Sequence, residues 1–305
     1  MVRKEPAGNR ERQLLPEPFW FSDEASLAGQ RQALRWYVGQ ITMLMLAAVV
    51  GTFNFHYKNL NLAPALSVLA FVGAWYFWDR LRAENPQARW YEGRAAAESV
   101  KTLAWKYVVR ARPFAGPARS VDSDTAFEEQ MAEVFQTFRG SPVIPEGTKP
   151  AITDEMRRVR GTPLSVRRDL YLQERVRAQR TWYLSRADLC DSEKAKWQLV
   201  SVTAIIVGGG FAVLQIFSVI PWHTLGMFTT FAASVTAWTQ LKQFTPLASA
   251  YRLAAGELDD IEVQLTRLDL NAPGAEEAWS KQSRDAEDAV SREHTTWRAR
   301  SDRRV

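Results

Sequence analysis

The sequence predicts an all-α membrane protein made of two tandem units, each a transmembrane helical hairpin flanked by long polar helices. Three observations carry this. Between Trp197 and Leu241 lie 45 residues with no Asp, Glu, Lys or Arg, bracketed by Lys196 and Lys242. As one helix this run would be ~67 Å long, whereas a bilayer core of ~30 Å needs only about 20 residues per crossing. It therefore reads as two crossings, 197–216 and 226–241, with a tip at 217–225 built on Ser218-Val219-Ile220-Pro221-Trp222-His223. Second, Trp36–Tyr57 and Asn59–Trp78 are also free of formal charge, with only Lys58 between them. Third, charged helical stretches enclose both apolar blocks, and a soluble core helix is seldom apolar on all sides for so long.

Residues 1–18 are polar and basic, carry Pro16 and Pro18, and are expected to be mobile. Ser22-Asp23-Glu24 has the form of a helix start, a capping hydroxyl followed by acids that suit the dipole. The first hairpin follows, with crossings at 37–53 and 63–78 and a tip at 54–62. Trp36 and Tyr37, then Trp75, Tyr76 and Trp78, mark one interface. An amphipathic helix over 88–109 places Ala96, Val100, Leu103 and Tyr107 along one seam. Arg94 and Glu98, four apart, can pair, a contact worth ~0.3 kcal/mol if exposed. A helix over about 124–138 puts Phe127, Met131, Val134 and Phe138 on one face. Residues 139–163, with four prolines and three glycines, read as a linker. A charged helical stretch over 167–196 leads into the second hairpin, Asn271, Pro273 and Gly274 stop the helix that leaves it, and a last helix spans about 275–298. The units are thus 20–120 and 164–300, separated by 121–163. Each crosses an even number of times, so both share one orientation, a parallel repeat.

Overall composition looks soluble, with 24% charged residues and a mean hydropathy of −0.27, but that average hides the segregation of apolar from charged blocks. The net charge of +5 and pI of 9.4 are explained by basic residues on one membrane side rather than by nucleic acid. Of 39 Lys and Arg, only Lys58 falls in a tip. The positive-inside rule then places both termini and the soluble helices in the cytoplasm, in a multi-pass membrane protein. Cys190 is the single cysteine, so no internal disulfide forms. No cleavable signal peptide is visible, since the first apolar run begins near Tyr37.

The stretch 171–183 resembles the Y-L-x-x-R-x-x-x-Q-x-x-W-Y lead-in of SLATT proteins, the SMODS- and SLOG-associating two-transmembrane effectors. Tyr171, Arg175, Gln179, Trp182 and Tyr183 carry the match. Tyr251-Arg252-Leu253-Ala254-Ala255-Gly256-Glu257-Leu258 resembles the lead-out of that hairpin. In the first half, Ala25–Arg31 resembles the lead-in of a second SLATT subtype. Trp90–Tyr107, with Trp90, Tyr91, Arg94 and Glu98, resembles its lead-out, down to Pro113-Phe114. The resemblance implies tandem SLATT domains of different subtype. It also implies a membrane effector of a bacterial defence or conflict system, set off by a nucleotide second messenger and acting by opening a pore. No cyclase or SLOG-like domain is visible within the sequence, so the expected sensor is a separate protein. The remaining expected partners are the lipid bilayer and further copies of the chain.

No catalytic constellation emerges, and neither metal nor cofactor is expected. His56 and His223 fall in the two tips and His294 far from both. With one cysteine, neither a zinc site nor a Cys-His nucleophile can be built. Gly208-Gly209-Gly210 lacks the context of a phosphate loop. It reads either as a close-packing site or as a hinge. In the last crossing, Gly226, Thr230, Ala233, Ala237, Gln240, Phe244, Leu247, Tyr251, Ala254, Leu258, Ile261, Leu265 and Leu268 step by four and three, a heptad seam for helix packing. Pro246 should kink it. Beside the seam, Thr229, Thr236 and Thr239 form a hydroxyl stripe, a candidate pore lining or a set of hydroxyls bonded to their own backbone. The functional expectation is an oligomeric effector that forms or gates a pore. Its rival is a non-conducting scaffold that recruits soluble partners through the cytoplasmic helices.

Overall fold

A computed structural model describes the backbone of residues 9–53, 56–57, 60–117, 120–219 and 224–301, and their side chains except those of 9, 56–60 and 292–301. The architecture is helical, with one two-residue antiparallel ladder at the first tip pairing His56 with Asn61 and Tyr57 with Leu60. Asn54, Lys58 and Trp222, the side chains of His56 and His294, and His223 lie outside the described residues.

Eleven α-helices are described. They are α1 (Asn9–Leu14), α2 (Glu17–Thr52), α3 (Leu62–Glu84), α4 (Pro86–Val108), α5 (Val121–Thr137), α6 (Asp154–Arg160), α7 (Leu164–Tyr171), α8 (Ala178–Ile216), α9 (Leu225–Lys242), α10 (Phe244–Thr266) and α11 (Ala275–Ser301), with a π turn at Leu172–Arg177 between α7 and α8. Local chemistry accounts for many of the ends. Pro18 sits in the first turn of α2, where its missing N–H costs nothing. Asn85 takes a left-handed conformation (φ 38°) after α3, and Pro86 opens α4. Ser120 caps α5, its hydroxyl accepting the N–H of Ser123, with Asp122 and Asp124 in the first turn. Thr153 caps α6 in the same way.

The chain divides into two compact units, each drawing on both halves of the sequence. The first comprises residues 1–30, 87–185 and 251–305, and the second 31–86 and 186–250. In the first unit, Leu14, Trp105, Tyr107, Phe114, Phe127, Met131, Met156, Tyr171, Leu265 and Trp279 form a core less than 3% exposed. The expected seam of α4 is there, with Ala96, Val100 and Tyr107 fully buried. So is that of α5, through Phe127, Met131 and Phe138. Several expectations are corrected. Residues 9–15 are not a loose tail. Residues 9–14 form α1, whose Leu14 and neighbour Leu15 are core residues and whose Glu11 makes a buried 2.9 Å ion pair with Lys101. Ser22 does not start a helix. It lies inside α2, and its hydroxyl donates to the Val143 carbonyl. The Pro- and Gly-rich stretch 139–163 supplies Val143, Met156, Val159 and Arg160 to buried positions.

The second unit holds the apolar hairpins. Among the described residues, three helical runs are long and apolar enough to cross a membrane, within Glu17–Thr52, Leu62–Val108 and Leu164–Ile216. The fourth expected crossing is helical as α9, but at 18 residues it carries Thr229, Thr230, Ser234, Thr236, Thr239, Gln240 and Lys242, and is not among the three. The helix does break near Pro246, but at Gln243, which turns left-handed (φ 50°). A proline ring clashes with the carbonyl four residues back, here that of Lys242, so the break falls there. In the first hairpin Gly39 lies against the ring of Phe77 and Gly73 against Met43. At its polar end, the Trp36 indole and Gln32 both donate to Glu84. In the second hairpin Gly208 lies against Phe228, while Gly209 and Gly210 face open space and the helix runs on to Ile216. Within one chain only the first of the three glycines meets a neighbour, and the helix is unbroken at all three.

Candidate functional site

A buried hydrogen-bond network in the first unit centres on Glu287 of α11, a carboxylate with no exposed surface. It accepts the Tyr171 hydroxyl at 2.8 Å and takes Arg175 in bidentate fashion, Nε on Oε1 and Nη2 on Oε2, both at 3.0 Å. The remaining Arg175 nitrogen donates to Gln179 Oε1 at 2.8 Å, and Gln179 donates to the Tyr183 hydroxyl at 3.2 Å. Tyr183 stacks on Tyr251 at 5.8 Å, and Trp182 meets the same ring edge-on at 5.7 Å. The Arg94 guanidinium lies 5.9 Å over Trp182 and pairs with Glu98 at 2.9 Å. The pair expected from the spacing is formed, but Glu98 is buried, so the value for an exposed pair does not apply.

Burial acts in opposite directions on Tyr171 and Arg175. It pushes the Tyr171 phenol well above its ordinary pKa, helped by Glu287. Burial alone would lower the pKa of Arg175, but the attraction and hydrogen bonds of Glu287 outweigh it and the net shift is upward. A paired charge of this kind is retained for the geometry it imposes more than for net stability. The network contains an acid, a base and two phenols, but no nucleophile with a free base beside it. Among the described residues no three His, Cys, Asp or Glu side chains cluster as metal ligands.

A second junction joins α2 to α4. Gly93 is where the two backbones meet. A Cβ placed there would stand 2.7 Å from the Ser26 nitrogen and 2.9 Å from the Ser22 carbonyl oxygen. The Ser26 hydroxyl donates to the Trp90 carbonyl at 3.0 Å, and Trp90 stacks on Tyr91 at 5.1 Å. The two stretches read as hairpin lead-in and lead-out are therefore in direct contact.

Comparison with protein families matches residues 16–168 to SMODS and SLOG-associating 2TM effector domain 3, and residues 171–297 to SMODS and SLOG-associating 2TM effector domain 1. The chain belongs to the SLATT family. Two SLATT domains stand in tandem and between them cover nearly the whole sequence, in line with the motifs. Comparison with curated proteins and with solved structures gave no match.

The SLATT motif residues of the second domain converge. Tyr171, Arg175, Gln179 and Tyr183 are buried in one network, and Trp182 lies at its edge. Its hub, Glu287, was not singled out from sequence. The usable signal was a carboxylate beside Trp279, Ala286 and Val290, the apolar stripe of α11, all 9% exposed or less. In the first SLATT domain, Glu98 and Arg94 reach the Trp182 edge of the network, while Trp90 and Tyr91 lie at the α2–α4 junction.

The seam divides at the break. Ala254, Leu258 and Leu265 are at most 3% exposed and Ile261 packs beside them, so this part of α10 is spent on the chain's own core. In α9, Gly226, Ala233, Ala237 and Gln240 are exposed and Thr230 is half-buried. Thr229 and Thr236 are exposed and Thr239 half-buried. Each hydroxyl donates within its own helix, Thr229 to Leu225, Thr236 to Ala232 and Thr239 to Thr236, all at 2.9 Å.

Proposed function

We propose that this SLATT protein is an integral membrane effector of a bacterial conflict system, activated by a separate nucleotide-signalling or sensor protein. In this reading it oligomerises in the inner membrane and forms or gates a pore, with both termini cytoplasmic. The observation that carries the reading is the face of α9. Gly226, Thr229, Ala233, Thr236 and Ala237 are small or hydroxyl-bearing and uncovered within one chain. Small residues permit close helix approach in a membrane, and a hydroxyl keeps a second lone pair for water even while donating to its own backbone. A path lined only by Val and Leu would tend to dewet.

Two results test this. In a Cys190→Ser background, Lys58→Cys or Trp222→Cys reacts with an impermeant thiol reagent from outside the cell and Gln130→Cys does not. Labelling of Gln130→Cys instead would reverse the topology. Coexpression with a nucleotide-messenger synthase depolarises the membrane, and replacing Thr229 and Thr236 together by Val weakens that response at equal protein level. Folding survives, because such hydrogen bonds are worth only ~0.6 kcal/mol in a membrane. An unaltered dye-reported response removes these threonines from the conduction path. If the parent protein never depolarises, the chain acts as a scaffold, consistent with hydroxyls already bonded to their own helix.

A further inference from the structure

The motif residues leading into α8 are spaced by four, and plain helical geometry does not keep such residues in one line. Four residues advance an α-helix by roughly 400°, so each step overshoots by about 40°. From Tyr171 to Tyr183 the drift would reach about 120°, a third of a turn. Yet Tyr171, Arg175, Gln179 and Tyr183 are all buried and joined through Glu287 in one hydrogen-bonded chain. The π turn at Leu172–Arg177 reconciles the two. A π turn holds one residue more than an α turn, which takes back about 100°.

That surplus residue has a conformational alternative. If the turn closes as plain α-helix with no residue lost, everything from Ala178 onward rotates by about 100° relative to Tyr171. Gln179 and Tyr183 then leave the face that Arg175 and Glu287 define. The surface ion pairs to α10, Arg177–Glu262 from the end of the π turn and Arg180–Asp259 from α8, are too weakly coupled to hold the rotation alone. Glu287 is placed to hold it, because it grips Tyr171 before the turn and Arg175 within it, and Arg175 grips Gln179 beyond it. We propose that the π turn is a register switch. The Tyr171–Glu287–Arg175–Gln179 clamp holds it in the wide form, and release of the clamp lets it close and rotate α8. Since α8 runs unbroken from Ala178 to Ile216, the rotation passes along a helix that contains a candidate membrane span. The proposal does not depend on conduction.

The test uses the full chain in membranes, Cys190→Ser, with Arg180→Cys and Asp259→Cys as reporters of the wide register. Crosslinking by a short bifunctional thiol reagent is fast in this background. Glu287→Gln strands the buried Arg175 charge and lowers the crosslinking rate roughly tenfold or more. Deleting the exposed Gln173 in the same variant restores the rate, because a plain α-helix with the surplus residue gone brings position 180 back to position 259. The deletion alone leaves the rate unchanged. Tyr171→Phe, which removes a single hydrogen bond from the clamp, gives a smaller fall with the same rescue and serves if Glu287→Gln does not fold. An unchanged rate in the folded clamp variants, or a deletion that fails to restore it at matched helicity, overturns the switch. A purely structural role for Glu287 gives the loss without the rescue.

Discussion

Gly93→Ala is expected to destabilise the first compact unit by about 3 kcal/mol or more, at the upper end of the range for overpacking a filled site. The reason is what the new methyl group meets. Its neighbours at 2.7–2.9 Å are the Ser26 nitrogen and Cα and the Ser22 carbonyl oxygen, all backbone. No side chain can swing away to make room, so α2 and α4 must separate. Separation also lengthens the Ser26 to Trp90 hydrogen bond and loosens the contact of Ser22 with Val143. Gly256 gives the matched contrast. It is exposed in α10, and a methyl group there would meet nothing within 4 Å. Gly256→Ala should therefore stabilise by up to about 1 kcal/mol, since glycine in a helix interior is unfavourable. Thermal unfolding of the detergent-solubilised protein, followed by helicity, separates the two. A Gly93→Ala variant that melts with the parent would mean that the helices are not in backbone contact there.

These two glycines illustrate what the sequence could and could not disclose. The hairpins were legible because charge is excluded over lengths that only a bilayer requires, and the helical character of the long elements followed from residue spacing, although the cap read at Ser22 was not one. The tandem SLATT assignment was legible because its motifs fall in order around two hairpins. Contacts between distant segments were not. Nothing in Glu92-Gly93-Arg94 says that Ser22 and Ser26 lie against it, and nothing local tells that Glu287, rather than Asp288, is the buried acid. The heptad along α9 and α10 was readable as a pattern, but which of its residues serve the chain's own core depends on the break at Gln243. The break itself followed from Pro246, but its position one turn earlier is a property of the clashing carbonyl. The π turn is the clearest case. Four residues spaced by four also fit the broad face of a regular helix, so the spacing alone did not disclose the surplus residue.

The run Arg157-Arg158-Val159-Arg160 shows the same limit and yields the second large effect. Arg160→Met should cost about 3–5 kcal/mol, whereas Arg157→Met should cost within about 1 kcal/mol. Arg157 is half-exposed and paired with Asp124 at the surface. Arg160 has no exposed surface and closes the buried end of α4. A helix leaves its last carbonyls without partners, and at this end water cannot supply them. Arg160 Nη1 donates to the Tyr107 carbonyl at 2.6 Å, and Nη2 donates to Phe114 at 2.9 Å. The Val109 carbonyl is met by Arg167 at 2.9 Å and by the Trp279 indole at 2.7 Å. Cations also suit the negative end of the helix dipole. Burial pulls the Arg160 pKa down, to about 10, yet leaves the group charged at neutral pH, and its guanidinium rests 4.6 Å over the Tyr107 ring. Methionine matches the apolar stem but offers no donor, so the buried Phe114 carbonyl loses its partner and the Tyr107 carbonyl keeps only the Arg110 N–H at 3.2 Å, losses of about 1–3 kcal/mol each. Arg160→Lys should recover only part of the loss, because one ammonium cannot reach both carbonyls in the fork geometry of a guanidinium. The comparison of melting temperatures for Arg157→Met, Arg160→Met and Arg160→Lys decides it. Equal losses at 157 and 160 would mean that the end of α4 is held by packing alone.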